Sequence, residues 1–435
     1  MNDLEKMSAI APPTQQVSQL PIIAFLTGSA ISYVGDMFTL LAIPWFVLQT
    51  TGSVTQTGIT AFFSTLPAVF STFFTSSLVD RLGYKRTSVI GDIVSGITVM
   101  LIPLLHYTTG LAFWQLLGLV FLGGLLKSPG GTARRAMIQD LAELATMRLE
   151  RANSFSDGIN RVAGLVGAPL AGLLIALIGT SNLLWLDAIS FAISALLIGL
   201  AVPTQQTRPN TEEQEQGYLA SLWDGVRFMR RDALVLSLVG VILITNMIDG
   251  AFFSVIEPAY IKQVFNSALP FGFIVAASGG AASVGTILFG AIGHRLPRRL
   301  TYGIGYTIGG ALNFWVFLLF PLFPVLVAWQ IIAGLAIAPM NPIAVTVIQE
   351  RLPARMRARI FGMIGAGALA GIPLGTFVSG FVIEWIGLQT TLLVMGSLYL
   401  LTTLSLLVNP ALREMEQPQE KQSTASSTQA GRVSS

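Results

Sequence analysis

The 435-residue chain has no cysteine and only two histidines, His106 and His294. These absences exclude a disulfide framework, a thiolate nucleophile, a Cys-ligated metal and a histidine metal cluster. Charge is nearly as scarce. Only 11% of residues are charged and 53% are hydrophobic, with a mean hydropathy of +0.69, whereas ordinary soluble domains are roughly 25% charged. A water-soluble fold is incompatible with that balance. The chain also lacks a Walker loop, a Gly-x-Ser-x-Gly elbow, a His-Glu-x-x-His helix and an extramembrane segment large enough to hydrolyse a nucleotide. Energy for any work must therefore come from a gradient or a partner.

What the chain has instead is apolar length. A bilayer crossing takes about 20 apolar residues, so twelve crossings use roughly 240 positions and leave the rest for connections and tails. Apolar runs fall at 21–48, 58–79, 88–105, 111–130, 154–178 and 183–202, then at 234–256, 271–293, 300–320, 324–347, 360–383 and 391–408. The polar stretch TQQTRPNTEEQEQ separates the two sets. The expected organisation is a cytoplasmic tail over 1–20, a six-helix bundle over 21–202, a linker over 203–232, a second bundle over 233–408 and a disordered tail over 409–435. Residues 1–20 lack the basic start, apolar run and cleavage site of a secretory signal. Within the linker, YLASLWDGVRFMRR sets Leu219, Leu222, Trp223, Val226 and Met229 on one stripe that ends in arginines, the pattern of an interfacial amphipathic helix.

Lysines and arginines resist translocation during insertion, so their placement in short loops sets orientation. The even-to-odd connections hold Arg81, Lys85 and Arg86, then Arg134, Arg135, Arg148 and Arg151, then Arg208, Arg227, Arg230 and Arg231, then Arg295, Arg298 and Arg299, and finally Arg351, Arg355, Arg357 and Arg359. The opposite side has Lys262 alone. Both termini are expected in the cytoplasm, and the net charge of +3 records orientation with no need for a nucleic-acid partner.

The two sets of runs repeat. A shift of 213 positions lays ISYVGDMFTLLAIP on ITNMIDGAFFSVIE and sets Asp36 on Asp249. A shift of 214 brings SSLVDRLGYKR onto GAIGHRLPRRL, with Arg81 and Leu82 on Arg295 and Leu296. A shift of 210 superposes Pro129 on Pro339 and Ile138-Gln139 on Ile348-Gln349. The matched positions are the rare charged, polar and proline residues, in one order. Two parallel six-helix repeats with a binding site between them near the midplane form the architecture of a large class of transporters.

The segment SSLVDRLGYKR, from Ser76, resembles the loop motif G-x-L-a-D-r-x-G-r-k of the major facilitator superfamily, with departures at Ser76 and Tyr84. Its second-half counterpart has His294 at the aspartate position and Pro297 at the glycine position. The resemblance covers 21–408 and implies an all-α integral membrane fold, twelve transmembrane helices in two pseudo-symmetric six-helix bundles. It also implies a central cavity lined by spans one, four, seven and ten, and a gating role for Asp80, Gly83 and Lys85, with Arg81 and Arg86 in the same motif. Within the superfamily, the run GSAISYVGDMFTLLAIPWFVLQTTG from Gly28, Asn153-Ser154 and Arg359-Ile-Phe-Gly362 resemble bacterial macrolide-efflux-like and siderophore-exporter-like proteins. That branch implies export driven by the proton motive force.

Candidate site residues follow from the cost of placing polarity at depth. Asp36 lies about fifteen residues, or roughly 22 Å, into the first span, too deep to reach water by stretching. Asp249 sits at similar depth in the seventh span with Asn246 one turn before it. Ionisable groups at that depth are functional candidates by default, here for proton coupling or for pairing with a cationic substrate, the alternative being a packing role. Arg161 is one turn from Asp157, where an intrahelical ion pair is the simpler expectation and an anionic ligand the alternative. Lys127 is placed at the inner end of the fourth span, able to snorkel. Trp45, Trp114, Phe252, Phe253, Trp329 and Gln330 are candidates for an aromatic, lightly polar cavity wall. Gly164, Ala168 and Gly172 beside Pro169, and Gly367, Gly371 and Gly375 beside Pro373, are spaced for close helix approach and bending. The segment around Pro169 also resembles the antiporter motif g-x-x-x-G-P-x-x-G-G, with Ala168 intervening between glycine and proline.

The function expected is secondary active transport, a proton-coupled exporter of amphipathic small molecules by alternating access. An importer of a sugar or other nutrient and a non-transporting sensor are the alternatives. No enzymatic activity and no cofactor are expected. The bacterial inner membrane is the expected location, with protons, a small-molecule substrate and the bilayer as partners, and a monomer as the working unit.

Overall fold

The computed structural model describes residues 18–204, 232–352, 357–409 and 415–416. The interfacial helix expected over 218–231 lies outside the described residues. Everything described is helix or short connection. The first half contains α1 (Leu20–Thr51), α2 (Val54–Leu82), α3 (Tyr84–Thr108), α4 (Phe113–Leu144), α5 (Leu149–Ile178) and α6 (Thr180–Ala201). The second half contains α7 (Ala233–Phe265), α8 (Leu269–Arg295), α9 (Arg298–Leu319) and α10 (Phe323–Arg351), then α11 (Arg357–Ile386) and α12 (Leu388–Val408). Among the described residues, 11 helices are long and apolar enough to cross a membrane; α2, a helix of 29 residues rich in Thr and Ser, fills the remaining place.

Short connections force neighbouring helices antiparallel, and their chemistry is local. A single glycine turns α2 into α3, α5 into α6 and α11 into α12: Gly83, Gly179 and Gly387, with φ of 80°, 84° and 82°. The matching ψ values of 160°, 163° and 159° put all three in a region closed to side chains with a Cβ. This gives the glycine of the loop motif a conformational reason. Ser53 opens α2 by accepting from the Gln56 amide at 3.2 Å, and Asp232 opens α7 by accepting from the Leu234 and Val235 amides at 3.0 and 3.1 Å. Two helices of the second half carry π turns, α7 at Phe252–Ile256 and α9 at Thr307–Ala311.

The fourth helix departs from the sequence reading. The apolar run 111–130 continues as helix to Leu144, so Arg134 and Arg135 lie within α4 rather than in a connection, and Lys127 lies near its middle rather than at its end. Hydropathy ends where charge begins, but a helix inside a bundle keeps going when its charges find partners there.

Six helices pack within each half, and the halves meet along two seams, α5 against α8 and α2 against α11. Each seam is tightest at the end opposite the chain termini. A Cβ at Gly172 would lie 2.8 Å from the Ala268 carbonyl and 3.1 Å from the Gly272 nitrogen, and one at Gly58 would lie 2.9 Å from the Gly380 Cα. Beside the second contact, Thr55 donates to the Gly380 carbonyl at 3.1 Å and to the Glu384 carboxylate. Phe62 meets Phe377 with ring centroids 5.3 Å apart. Toward the termini end the first seam loosens. A Cβ at Gly164 would meet nothing within 4 Å, and Asp157, Arg161 and Leu288 are exposed.

Replacing Gly179 with Ala forces a backbone conformation that costs about 1–3 kcal/mol. The expected outcome is a lower unfolding midpoint for Gly179→Ala in detergent, with membrane insertion retained; an unchanged midpoint contradicts the turn geometry.

Candidate functional site

Two cavities meet in the first half. One, of about 320 Å³, is lined by α1 to α4 with Phe191 of α6 and Ser254 of α7. Its wall includes Ile43, Val99, Ile102 and Leu119 together with a series of hydroxyl residues. The hydroxyls of Thr60, Ser64, Thr65 and Thr98 donate to carbonyls one turn earlier on their own helices, at 2.8, 2.9, 2.8 and 2.9 Å. With those donors satisfied, the wall is largely apolar. The other cavity, of about 480 Å³, is polar and lies toward the termini end, with Tyr33, Asp92, Arg134, Arg135, Asp157 and Arg161 in its wall. Asp36, Ser95, Lys127 and Phe191 line both.

At that shared boundary Lys127 Nζ stands 2.9 Å from Asp36 Oδ1. The pair joins α1 to α4 in the middle of both helices, and the Lys127 side chain is half exposed to the cavities while Asp36 is largely covered. A contact of this kind holds the carboxylate without sealing it. A cation or a proton arriving through either cavity can compete with the lysine.

Two turns further along α4 and closer to the termini end, a second ion pair is closed off. Arg134 is 6% exposed and pairs with Asp92. It also donates to the Ser88 and Ser32 hydroxyls, each at 3.1 Å, and to Ser194 at 3.2 Å, while Ser194 donates to Asp92 at 2.7 Å. Four helices, α1, α3, α4 and α6, are tied by one guanidinium whose donors are nearly all used, which is the arrangement a buried arginine requires. On α6, Asp187 is fully buried and accepts from Thr39 of α1 and, at 3.1 Å, from Ser190.

The second half differs. Asp249 accepts a hydrogen bond from Tyr399 at 3.2 Å, and Tyr306 and Tyr302 stack beyond it, with ring centroids 6.2 Å from Tyr399 to Tyr306 and 4.9 Å from Tyr306 to Tyr302. Glu257, directly after the π turn of α7, is fully buried, and neither carboxyl oxygen has a hydrogen-bond partner among the described residues.

The sequence candidates separate accordingly. Asp36 lies on the cavity wall; Asp249, at the same depth in α7, and Asn246 line neither of the two cavities. Arg161 and Asp157 form no ion pair with each other, and both line the polar cavity, so the intrahelical pairing expected for them is corrected. Trp45 is 2% exposed, with the Lys262 ammonium 5.4 Å from its ring. Phe252 is packed against Phe314 and Phe317 at 4.9 and 5.1 Å, and Gln330 is buried. Trp114 is 72% exposed near the start of α4, and Phe253 and Trp329 line neither cavity. None of these six residues supplies a wall of either cavity. Asp80, Arg81 and Arg86 are exposed around the α2–α3 turn, and Asp80 and Arg81 make no ion pair among the described residues. In the small-residue stripes, Ala168 and Gly172 meet α8, and Gly371 and Gly375 meet the Leu243 and Met247 carbonyls of α7. Gly164 and Gly367 make no close approach. Pro169 and Pro373 lie inside α5 and α11.

Lys127, Arg134, Asp92 and Asp187 were missed as a set. The signal was present for the last two: an aspartate inside an apolar run, the same criterion that selects Asp36. The two bases were hidden because positive charge near a run's end reads as topology.

Removing the Arg134 charge leaves Asp92 buried and unpaired, a loss of about 3–5 kcal/mol. Arg134→Met is expected to lower the unfolding midpoint strongly, and adding Asp92→Leu to recover most of it; a double variant no more stable than the single one contradicts the pairing.

Comparison with known proteins agrees with this architecture. The family model described as Major Facilitator Superfamily matches residues 25–256 and 239–434. The chain is 30% identical to the multidrug efflux pump Tap of Mycobacterium tuberculosis over 399 residues, 91% of this chain and 95% of that one. It is 21% identical to macrolide efflux protein A of Streptococcus pyogenes over 395 residues, 87% and 93% of the two chains. Its fold is similar to that of the crystal structure of nucleoside transporter NupG, with a TM-score of 0.71 at 17% identity, over 89% of this chain and 98% of that one. Twelve long helices among the described residues, in two halves with seams between them, and a match over nearly the whole length lead to one assignment: the chain belongs to the Major Facilitator Superfamily of membrane transporters.

Proposed function

We propose that this transporter exports amphipathic small molecules, exchanging them for protons across the bacterial inner membrane. The observation that carries the reading is the Asp36–Lys127 pair, 2.9 Å apart at the boundary between a largely apolar and a polar cavity. An apolar body fits the first cavity and a polar or cationic group reaches the acid. An ion pair set deep in the membrane and open to two cavities is the kind of group through which substrate and proton movements are coupled. The relatives' printed descriptions, a multidrug efflux pump and a macrolide efflux protein, support the substrate class. No other chemistry is needed from the chain.

Orientation follows from charge. Arg81, Arg148, Arg151, Arg295, Arg298 and Arg299 sit at the termini end, and Lys262 at the other. Positive charge is retained inside, which supports cytoplasmic termini, with the tight glycine contacts at Gly172–Gly272 and Gly58–Gly380 as the outer seal. In this arrangement the polar cavity faces inward, ready to load from the cytoplasm, and Asp80 and Arg81 await the partners that close the inner gate. A monomer is the working unit in this reading.

Two expectations test this. In proteoliposomes with an imposed proton gradient, Asp36→Asn is expected to cut efflux of the lipophilic cation tetraphenylphosphonium on the order of tenfold or more while inserting normally. Wild-type rates in that variant contradict the role of Asp36, and net uptake driven the opposite way supports an importer instead. Gly272→Leu, which places a side chain where the α5 backbone already touches, is expected to hold the outer seal open and lower turnover with expression intact; unchanged turnover contradicts the seal.

A further inference from the structure

The acids at the centre of the first half are unequally partnered. Three carboxyls, Asp36 on α1, Asp92 on α3 and Asp187 on α6, share that interior with two cations, Lys127 and Arg134 on α4. Arg134 is committed to Asp92 by the ion pair and by the serines that hold both groups. Lys127 stands on Asp36. Asp187, with no exposed surface, is bonded by two hydroxyls and, among the described residues, forms no ion pair. An ionised carboxylate sealed from water with no counter-charge is far too unfavourable to persist, so the third acid is neutral in this arrangement.

Its surroundings make that neutrality conditional. Asp187 interacts electrostatically with both Asp36 and Lys127. From α1 it is faced by Asp36 and bonded by Thr39; from α4 by Lys127; on α3 the acid is Asp92, held by Arg134. On its own helix Ser190 is the polar neighbour, and α5 carries no ionisable residue between Arg161 and its end at Ile178. The contact with α1 is tight, because a Cβ at Gly35 would collide with both the Ser190 hydroxyl and the Asp187 carboxyl. Thr39 lines the apolar cavity on one side and bonds Asp187 on the other. A buried acid thus has one hydroxyl between itself and the apolar cavity, and one half-exposed cation within electrostatic reach.

We propose that Asp187 carries the coupling proton and that Lys127 is the counter-charge it exchanges for. When a cationic substrate occupies Asp36, Lys127 is displaced toward Asp187. The Asp187 O–H bond breaks, the proton passes Thr39 to water in the cavity, and the carboxylate left behind is neutralised by the lysine ammonium. When substrate leaves, Lys127 returns to Asp36 and Asp187 takes a proton from the side then open. Charge in the interior is unchanged except for one substrate cation entering as one proton leaves. The inference rests on the export reading above and goes further by separating the two duties: Asp36 meets substrate, Asp187 holds the proton.

The test uses the full-length protein and tetraphenylphosphonium as probe. In weakly buffered detergent solution with a pH-sensitive dye, wild-type protein is expected to release about one proton per probe bound, and Asp187→Asn to bind the probe with no release. In proteoliposomes Asp187→Asn is expected to lose gradient-driven efflux on the order of tenfold or more while still exchanging probe for probe across the membrane, and Asp187→Glu to restore gradient-driven efflux. Proton release from Asp187→Asn equal to wild type overturns the assignment, as does loss of exchange together with drive. Should Asp187→Asn fail to insert, Thr39→Val is read instead: it is expected to slow proton release without weakening probe binding, and unchanged release overturns the route. Wild-type protein that shows no response to a proton gradient overturns proton-coupled export as a whole, a result distinct from failure of Asp187 alone.

Discussion

A charge inside a bilayer has no water to fall back on, and the first half of this molecule is organised around meeting that demand internally. Arg134 is the fixed solution. Its donors are distributed over an aspartate and serines from α1, α3 and α6, so the ion pair with Asp92 also holds those helices in register. Lys127 is the movable solution, a single ammonium on a flexible stem facing one carboxylate at a cavity boundary. The difference between guanidinium and ammonium matters here: a planar fork with many donors commits to one geometry, whereas a point charge on four methylenes can change partner.

The same economy separates the two halves. The halves repeat in sequence and Asp36 and Asp249 occupy equivalent depths, yet one acid faces a cation and open space while the other accepts a hydrogen bond from Tyr399 beside two further tyrosines. Repetition conserves depth without conserving environment. Among the described residues, the ion pairs that line the two cavities belong to the first bundle. The tight glycine crossings between them, Gly172 against Gly272 and Gly58 against Gly380, mark where the two bodies touch backbone to backbone.

Much of this was legible beforehand, for physical reasons that can be named. Long apolar runs must be helices in lipid because no other segment satisfies its own backbone, so the number and order of spans followed from hydropathy, and the glycine at position 83 turned out to be required by its positive φ. Asp36 was legible because depth alone makes a carboxylate expensive. Its partner was not, because the run ending at 130 assigned Lys127 to an edge and Arg134 to a loop, while the helix continued to Leu144. Which aromatics line the cavity was also illegible: Trp45 and Phe252 have the composition of a pocket wall but bury themselves in the core, and only packing decides that. The apolar cavity wall instead includes Thr60, Ser64, Thr65 and Thr98, whose hydroxyls are turned back on their own helices, a use that residue type does not announce.

The absence of cysteine makes the central claim open to a direct test, because any single cysteine introduced is the only thiol present. Thr60 and Ser254 line the apolar cavity from opposite halves of the molecule. With Thr60→Cys or Ser254→Cys in sealed vesicles, a charged maleimide that cannot cross the membrane is predicted to label both positions from the face holding the chain termini, and tetraphenylphosphonium to protect them. Labelling at neither position from either face, with the protein folded, would show that no water-accessible passage lies between the bundles and would contradict the account.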